Sequence, residues 1–470
     1  MRDVLQSLAI AALAYFAAVN GLYLLFTAVA WLTITHHRRE RAYSAVDEAF
    51  ASPLTPPISV LLPAYNEEAG IVESVRSLLA LHYPQHEVVV VNDGSTDDTM
   101  GKLRTAFDLV PIRKALRETL PTRAVRGAYT SRHHPELWVL DKENGGKGDA
   151  LNCGVNAAAF PYVCAIDADA MLEEDALLRV AKPVLDDPEL VAATGGIVRI
   201  ANGCTIDHGR VVAVGVPHSA LGAMQVVEYF RAFLIGRTGW SRVGSLLIIS
   251  GAFGLFNRSL VEAAGGWSTT TVGEDVELVV RLHRYLRERG ENYRIHFVPD
   301  PVCWTESPED LRTLSRQRRR WQRGLAEALW AHRRLAANLR YGVLGMLAIP
   351  YFALFELFGP FMQLLGYPIV LVAYFADAIS LQFIVAFLGM SLLLGVLLSV
   401  SALALEEFSF RRHVRNRDVA KLLVFAVLEN FGYRQLNDVW RVQAFLDLAR
   451  RRSHWGEMRR RGLGAHAPLR

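Results

Sequence analysis

Three long apolar runs limit what this chain can fold into. Leu8 to Ile34 and Ile379 to Leu405 carry no charge, and Val343 to Ala376 carries one, Glu356. A helix crossing a bilayer needs about 20 apolar residues, so each run is long enough to span. The chain is therefore expected to be an integral membrane protein. The first run is a poor signal peptide, because its apolar part outlasts an h-region and its positive residues follow it. Those residues, Arg38, Arg39 and Arg41, place everything from residue 36 onward in the cytoplasm by the positive-inside rule. Arg333, Arg334 and Arg340 hold the start of the second run on that side. The loop at Asp377 falls outside, and the basic stretch Arg411 to Arg417 returns inside. The expectation is a multi-pass protein of the inner (plasma) membrane, with its N-terminus out, three spans and residues 36 to 340 cytoplasmic.

Two stretches strain this count. Val343 to Ala376 is longer than one span needs and is interrupted by Pro350, Pro360 and Pro368. Part of it is expected to be interfacial or re-entrant, with the backbone groups freed by proline satisfied inside the protein. Val419 to Leu428 is short for a crossing, which would also export the basic "RRRSHWGEMRRRG". An interfacial or re-entrant helix is expected there. The boundaries that follow are a span at 1–36, a soluble domain at 50–335, transmembrane or interfacial helices at 341–377, a span at 378–405 and a cytoplasmic or interfacial helical tail at 411–470.

Lysine and arginine total 51 against 47 acidic residues, a net charge of +4. That balance gives no reason to expect a nucleic-acid partner. Cys153, Cys164, Cys204 and Cys303 form no CxxC pair and fall in the cytoplasmic part, where reduced structural thiols are expected.

The soluble part repeats one scheme four times. Each of "ISVLLPAYNE", "EVVVVNDGSTDDT", "LWVLDKENGGKGDALN" and "YVCAIDADAMLEED" is an apolar strand running into a polar loop and then a helix. Continuous apolar strands alternating with helices predict a parallel sheet covered on both faces. Ligands of such sheets bind beyond the carboxyl ends of the strands. Those ends carry Asn66 and Glu67, Asp93 and Gly94, Asp141 to Gly148, and Asp167 and Asp169.

Asp167 and Asp169, directly after a buried strand, suit a hard divalent cation that takes one or two carboxylates plus substrate phosphates. In "NDGSTDDT", Ser95 or Thr96 is expected to cap the next helix, leaving Asp93 free for a ligand. "GGKG" (Gly145 to Gly148) permits close backbone approach beside the cation of Lys147, although it lacks Walker spacing. "VGEDVELVVRLHR" puts Glu274 and Asp275 at a helix start, with Val276, Val279, Val280 and Leu282 facing inward. In "SPEDLRTLSRQRRRWQRG", Ser307 is the expected N-cap and Pro308 the first helical residue. On that helix Gln317, Arg320 and Trp321 are neighbours by their spacing of three and four.

"PAYNE", "NDGSTDDT", "GGKGDALN", "DADA", "GED" and "QRRRW" occur in the order seen in membrane-bound processive family 2 glycosyltransferases. These include the cellulose, chitin, hyaluronan and poly-N-acetylglucosamine synthases. The resemblance runs from about Ile58 to the last apolar segments. "SGAFGLFNR" (Ser250 to Arg258) and "WGEM" (Trp455 to Met458) look nearest to the poly-N-acetylglucosamine branch.

The resemblance implies an α/β doubly wound, glycosyltransferase A-type catalytic domain joined to an α-helical transmembrane region. It implies an inverting, metal-dependent transferase, using Mg²⁺ or Mn²⁺, that passes a sugar from a UDP-sugar to a growing polysaccharide. By position, Ala64, Tyr65, Glu67 and Asp93 would line the nucleoside and Lys147 the donor. Asp167 and Asp169 would address metal and diphosphate, and Asp275 would be the general base, with Glu274 pointing elsewhere. Gln317, Arg320 and Trp321 match QxxRW, arginine for the diphosphate and tryptophan as acceptor platform. Arg316, Arg318, Arg319 and Arg323 are expected to form a membrane-surface face instead.

The branch resemblance alone points to UDP-N-acetylglucosamine, with a glycan or glycolipid acceptor, membrane lipids around the chain and room for an accessory membrane subunit. The chain departs from several relatives in having one span before the catalytic domain and no "FxVTxK" gating loop. Two other readings stay open: a non-processive transferase loading one sugar onto a lipid carrier or glycolipid, and an inactive nucleotide-binding membrane scaffold. Ala201 to Ala220 has no assignment.

Overall fold

The structure, a computed structural model, describes residues 1–43, 55–113, 115–207, 209–410 and 415–450. Residues 411–414 of the basic stretch and the "WGEM" motif lie outside the described residues. Among the described residues the chain forms two compact units, each discontinuous in sequence. One takes residues 1–38, 216–243 and 308–450, and the other takes 39–215 and 244–307. The segment 216–243 and the QRRRW helix thus belong with the apolar helices rather than with the sheet.

The second unit is built on a sheet. Its strands are β1 (Ile58–Ala64), β2 (His86–Asn92), β3 (Leu109–Ile112), β4 (Val125–Ser131), β5 (Leu137–Lys142), β6 (Tyr162–Ile166), β7 (Ala170–Leu172), β8 (Val191–Ile200), β9 (Thr205–Asp207), β10 (Arg210–Ala213), β11 (Phe253–Asn257) and β12 (Arg294–Thr305). Ten of them form one sheet in the order β3-β4-β5-β2-β1-β6-β11-β8-β12-β7. The four strands expected from sequence, β5, β2, β1 and β6, are mutually parallel at its centre. Their near-continuous apolar composition reflects burial: Ile58, Val60, Leu61 and Leu62 are fully enclosed, as are Val88 to Val90.

The sheet as a whole is mixed. β11 runs antiparallel to both β6 and β8, β7 runs antiparallel to β12, and β3 and β4 add an antiparallel edge. Their pairing depends on long connections that carry no local strand–helix repeat. The topology also locates a ligand crevice. From β1 the chain steps outward to β2 and β5, then returns on the other side of β1 as β6. Strand order reverses between β1 and β6, and such sheets bind ligands beyond the carboxyl ends at that reversal.

Ala201 to Ala220 acquires a partial place. β9 and β10 pair as a small antiparallel ribbon. Cys204 is buried with Met171, Ala201 and Trp304, and Ile206, Val211 and Val214 pack against them. All four cysteines are free and buried.

In the first unit, Arg2–Arg39 and Leu381–Phe410 are helices long and apolar enough to cross a membrane. Leu344–Leu357 and Gly359–Phe375 form a pair bent by 51°, which makes a third crossing if the pair is one span. The bend falls where Pro360, in the first turn of the second helix, lacks an N–H and disfavours helical backbone before it. Ala9, Ala12 and Phe16 pack with Val370, Ala373 and Phe387, small residues letting the helices approach. Glu356, the lone charge of its run, is not left bare. Tyr23 Oη donates to it over 2.9 Å, and Arg441 Nη2 lies 3.3 Å away. Asn416–Leu428 is a separate helix of 13 residues.

Candidate active site

The crevice edge is assembled from four strand ends. After β1, Tyr65 is 49 % exposed, and Asn66 takes a left-handed φ of 57°. That conformation lets Asn66 Oδ1 accept from Thr96 N over 2.8 Å while Asn66 N donates to Ser95 Oγ over 3.0 Å. Thr99 Oγ1 accepts from Glu67 N over 2.9 Å. Ser95 and Thr96 therefore tie two loops together, where a helix cap was expected. The helix Thr99–Phe107 is preceded by Asp98, which makes no side-chain cap bond, while Asp97 Oδ1 accepts from Thr99 N.

Asp93 is a second departure from expectation. Its carboxylate is buried and accepts from Gly145 N over 3.0 Å, Gly146 N over 2.8 Å and Lys142 Nζ over 2.6 Å. Both oxygens are engaged by the chain's own donors, so Asp93 organises the GGKG loop. Gly146 makes this turn with φ 86°, a left-handed conformation that disfavours residues bearing a Cβ.

Lys142 ends β5 with no exposure at all and reaches Asp149 Oδ1 as well, also over 2.6 Å. Burial works against its ammonium, but the hydrogen bonds to Asp149 and Asp93 outweigh that and hold it above the ordinary lysine value. This buried triad links the NDGS loop to the helix Lys147–Ala157. Lys142→Met is expected to cost roughly 3–5 kcal/mol of stability, because two buried carboxylates lose their shared cation. Chemical unfolding of the purified protein checks this; an unchanged midpoint would remove Lys142 from the role.

Lys147 gathers the reactive groups. Its Nζ lies 2.6 Å from Asp167 Oδ1, 3.3 Å from Glu274 Oε1 and 3.0 Å from the Gly251 carbonyl. Burial opposes its charge, and Asp167, Glu274 and Asp275 together more than reverse that, pushing its pKa above the usual lysine value. Burial raises the Glu274 carboxyl. Lys147 pulls it back, and Asp275 and Asp167 add to the rise. Asp275 is the second residue of the helix Glu274–Glu288 and turns toward Gly251. A Cβ on Gly251 would come within 2.9 Å of Asp275 Oδ2 and 3.7 Å of Lys147 Nζ. Glycine in "SGAF" is what makes room for both.

Asp167, Asp275 and Lys147 therefore meet at the end of β6, with Asp169 two residues further along the same turn. Glu274 was expected to point elsewhere and instead faces Lys147. The sequence held only a partial hint: Leu278, an apolar residue one helical turn later, lies on the same face as Glu274, and the structure buries it fully. Lys142 carried a weaker signal, as a lysine directly after Asp141 at the end of the apolar run Leu137 to Leu140.

Gln317, Arg320 and Trp321 sit on the helix Leu311–Ala331 of the other unit, Trp321 being 43 % exposed. That helix starts later than expected. Asp310, not Ser307, is its N-cap, accepting from Thr313 N over 2.8 Å. The flanking arginines also differ from a uniform membrane-surface face. Arg318 is buried on Glu228, Arg319 pairs with Asp447, and Arg323 pairs with Glu327 one turn on.

Two hard carboxylates at the turn after β6 fit a small dication completed by water and phosphate. Among the described residues there is no cluster of three or more His, Cys, Asp or Glu side chains to close a metal site by protein alone.

Residues 56–324 match the family described as glycosyltransferase like family 2. Over 274 residues the chain is 31 % identical to the poly-beta-1,6-N-acetyl-D-glucosamine synthase of Staphylococcus epidermidis, covering 58 % of this chain and 55 % of that relative. It is 33 % identical over 275 residues to the synthase of the same name from Staphylococcus aureus strain COL, with the same coverage. The chain thus spans about half the length of these curated relatives. Among solved structures it resembles a mannosyltransferase from Pyrobaculum calidifontis, in complex with GDP-Man and Mn²⁺, at a TM-score of 0.50 and 21 % identity. That alignment covers 92 % of this chain and 99 % of the other and speaks to fold alone.

Proposed function

This chain belongs to the glycosyltransferase-like family 2, and from that premise we propose that it is an inverting, metal-dependent transferase extending a polysaccharide at the membrane. The proposed donor is UDP-N-acetylglucosamine, by analogy with the named synthases. The observation carrying the reading is the meeting of Asp167, Asp275 and Lys147 at the β1–β6 reversal, where a glycosyl donor's diphosphate and anomeric carbon would need them.

Asp275 takes the proton from an acceptor hydroxyl as that oxygen attacks the anomeric carbon. The carbon–oxygen bond to the diphosphate breaks, and the nucleoside diphosphate leaves with the electron pair. One displacement inverts the centre, so no carboxylate nucleophile is called for. Lys147 meets the donor's phosphates, and Glu274 holds Lys147 in place. Asp167 and Asp169 would hold Mg²⁺ or Mn²⁺, which when bound neutralises charge on the leaving diphosphate. Tyr65, with Ala64 and Glu67 beside it, borders the nucleoside. Asp93 supports that border by shaping the GGKG loop. From the QxxRW resemblance of Gln317, Arg320 and Trp321, the arginine is assigned to a diphosphate and the tryptophan to an acceptor sugar. The long apolar helices support a multi-pass protein of the plasma membrane, and the basic residues after the first run favour a cytoplasmic sheet unit.

The test is a donor screen on purified protein, reading nucleoside diphosphate release and product length. Release from UDP-N-acetylglucosamine with long products is expected. A single-sugar product on a lipid acceptor would replace polymerisation by carrier loading, and no release from any donor would leave only a scaffold.

A further inference from the structure

Arginine is costly to bury, yet Arg318 is 5 % exposed, in line with the buried Leu314 and Gln322 one turn before and after it on the helix. Its Nη2 donates to Glu228 Oε2 over 2.8 Å. Tyr433 Oη donates to the same carboxylate oxygen over 2.7 Å, so the acceptor of that pair is itself held. Tyr433 in turn is packed with Leu314 and Trp440, with Leu221, Met224 and Leu436 around them. The charge is therefore satisfied by a carboxylate fixed within a small apolar cluster of the helical unit.

The guanidinium plane has a second use. Its carbon stands 4.5 Å from the centroid of the Trp321 ring, three residues further along the helix. Residues at this spacing are neighbours on a helix surface, so the contact is built into the local geometry. Arg318 Nε is buried and has no hydrogen-bond partner among the described residues. An unsatisfied buried N–H is normally avoided. Here the plane is committed to the indole face on one side and to Glu228 at its tip. Trp321 keeps 43 % of its surface exposed, so covering by Arg318 does not enclose the ring.

We propose that Arg318, held by Glu228 and Tyr433, is a positioning residue that fixes the Trp321 ring as a preformed stacking platform for the acceptor sugar. This rests on the reading of Trp321 as the acceptor platform. A free tryptophan side chain must give up its rotamer freedom when a sugar stacks on it. A ring already clamped by a cation on one face loses less on binding, and its orientation is set before the acceptor arrives. Lysine cannot substitute: its ammonium can pair with Glu228 but offers no plane to the indole.

The decisive measurement is a set of steady-state constants on full-length protein in one detergent. UDP-N-acetylglucosamine serves as donor and a short N-acetylglucosamine oligosaccharide as acceptor. Arg318→Lys is expected to raise the acceptor KM about tenfold, with the donor KM within twofold and the unfolding midpoint little changed. Glu228→Gln, which keeps shape but frees the guanidinium, should move the acceptor KM in the same direction. It also carries the test if the lysine variant does not fold. In a Trp321→Ala background, Arg318→Lys should add nothing, because the ring it positions is gone.

Unchanged acceptor KM in both Arg318→Lys and Glu228→Gln overturns the proposal, as does a parallel loss in donor and acceptor constants, which marks a purely structural ion pair. The two levels separate cleanly. If Trp321→Ala itself leaves the acceptor KM alone, the platform reading fails. If only that variant raises it, the platform stands and the positioning role of Arg318 is lost.

Discussion

Asp275→Asn is expected to lower turnover by roughly 10²-fold or more, the scale of general base catalysis, while donor affinity changes little. The amide preserves the shape of the carboxylate, which matters because Asp275 packs against Gly251 with no space to spare. What it lacks is a proton acceptor at neutral pH. One negative charge beside Lys147 is also removed, but Asp167 and Glu274 still face that ammonium, so its position should persist. The comparison to make is single-turnover transfer against equilibrium binding of UDP. Near-normal transfer with normal binding would take Asp275 out of the base role, and Glu274, next to it, would be examined in the same assay.

The second large effect concerns the carboxylates after β6. Activity is expected to disappear in excess chelator and to return with Mg²⁺ or Mn²⁺. Asp169→Ala should eliminate turnover or raise the cation concentration needed for half-activity. The reason lies in the donor set: two carboxylates at one turn bind a hard cation weakly by themselves and rely on substrate phosphate for the rest. Binding of UDP should therefore become cation-dependent in the wild type, a readout that does not require turnover. Asp167→Asn tests the same turn from the other side. Asp167 also anchors Lys147, so that variant should weaken UDP binding even at saturating cation. Full activity in excess chelator would discard the metal role of both residues.

Much of the fold was legible in sequence because its signals are local. Four apolar strands each running into a polar loop and a helix identify β1, β2, β5 and β6, and all four are parallel neighbours in the structure. The antiparallel strands β7 and β11 were not legible. "AML" and "FGLFN" are short and apolar, and nothing within them says which strand they will join. The site divides the same way. Asp167, Asp169 and Asp275 stand out because carboxylates at the end of a buried strand or the first turn of a helix call for an explanation. Asp93 was recognised as special but given the wrong freedom, since its donors, Lys142 and the GGKG amides, arrive from another strand end.

By itself the sequence determined that this chain has helices able to cross a bilayer, a strand–helix repeat with its polar residues at one set of ends, and the motifs of a family 2 glycosyltransferase in order. The first two rest on hydrophobic periodicity over a few turns or strands, where the chain's own geometry dictates which side chains share a face, and the third rests on resemblance to that family. Only the tertiary structure decided that Glu274 turns toward Lys147, that Lys142 is sealed between Asp93 and Asp149, and that Arg318 is buried on Glu228 beneath Trp321. The burial of a charged side chain depends on a counter-charge brought from a distant part of the chain. Desolvation makes that partner obligatory, and no local pattern announces where it will come from.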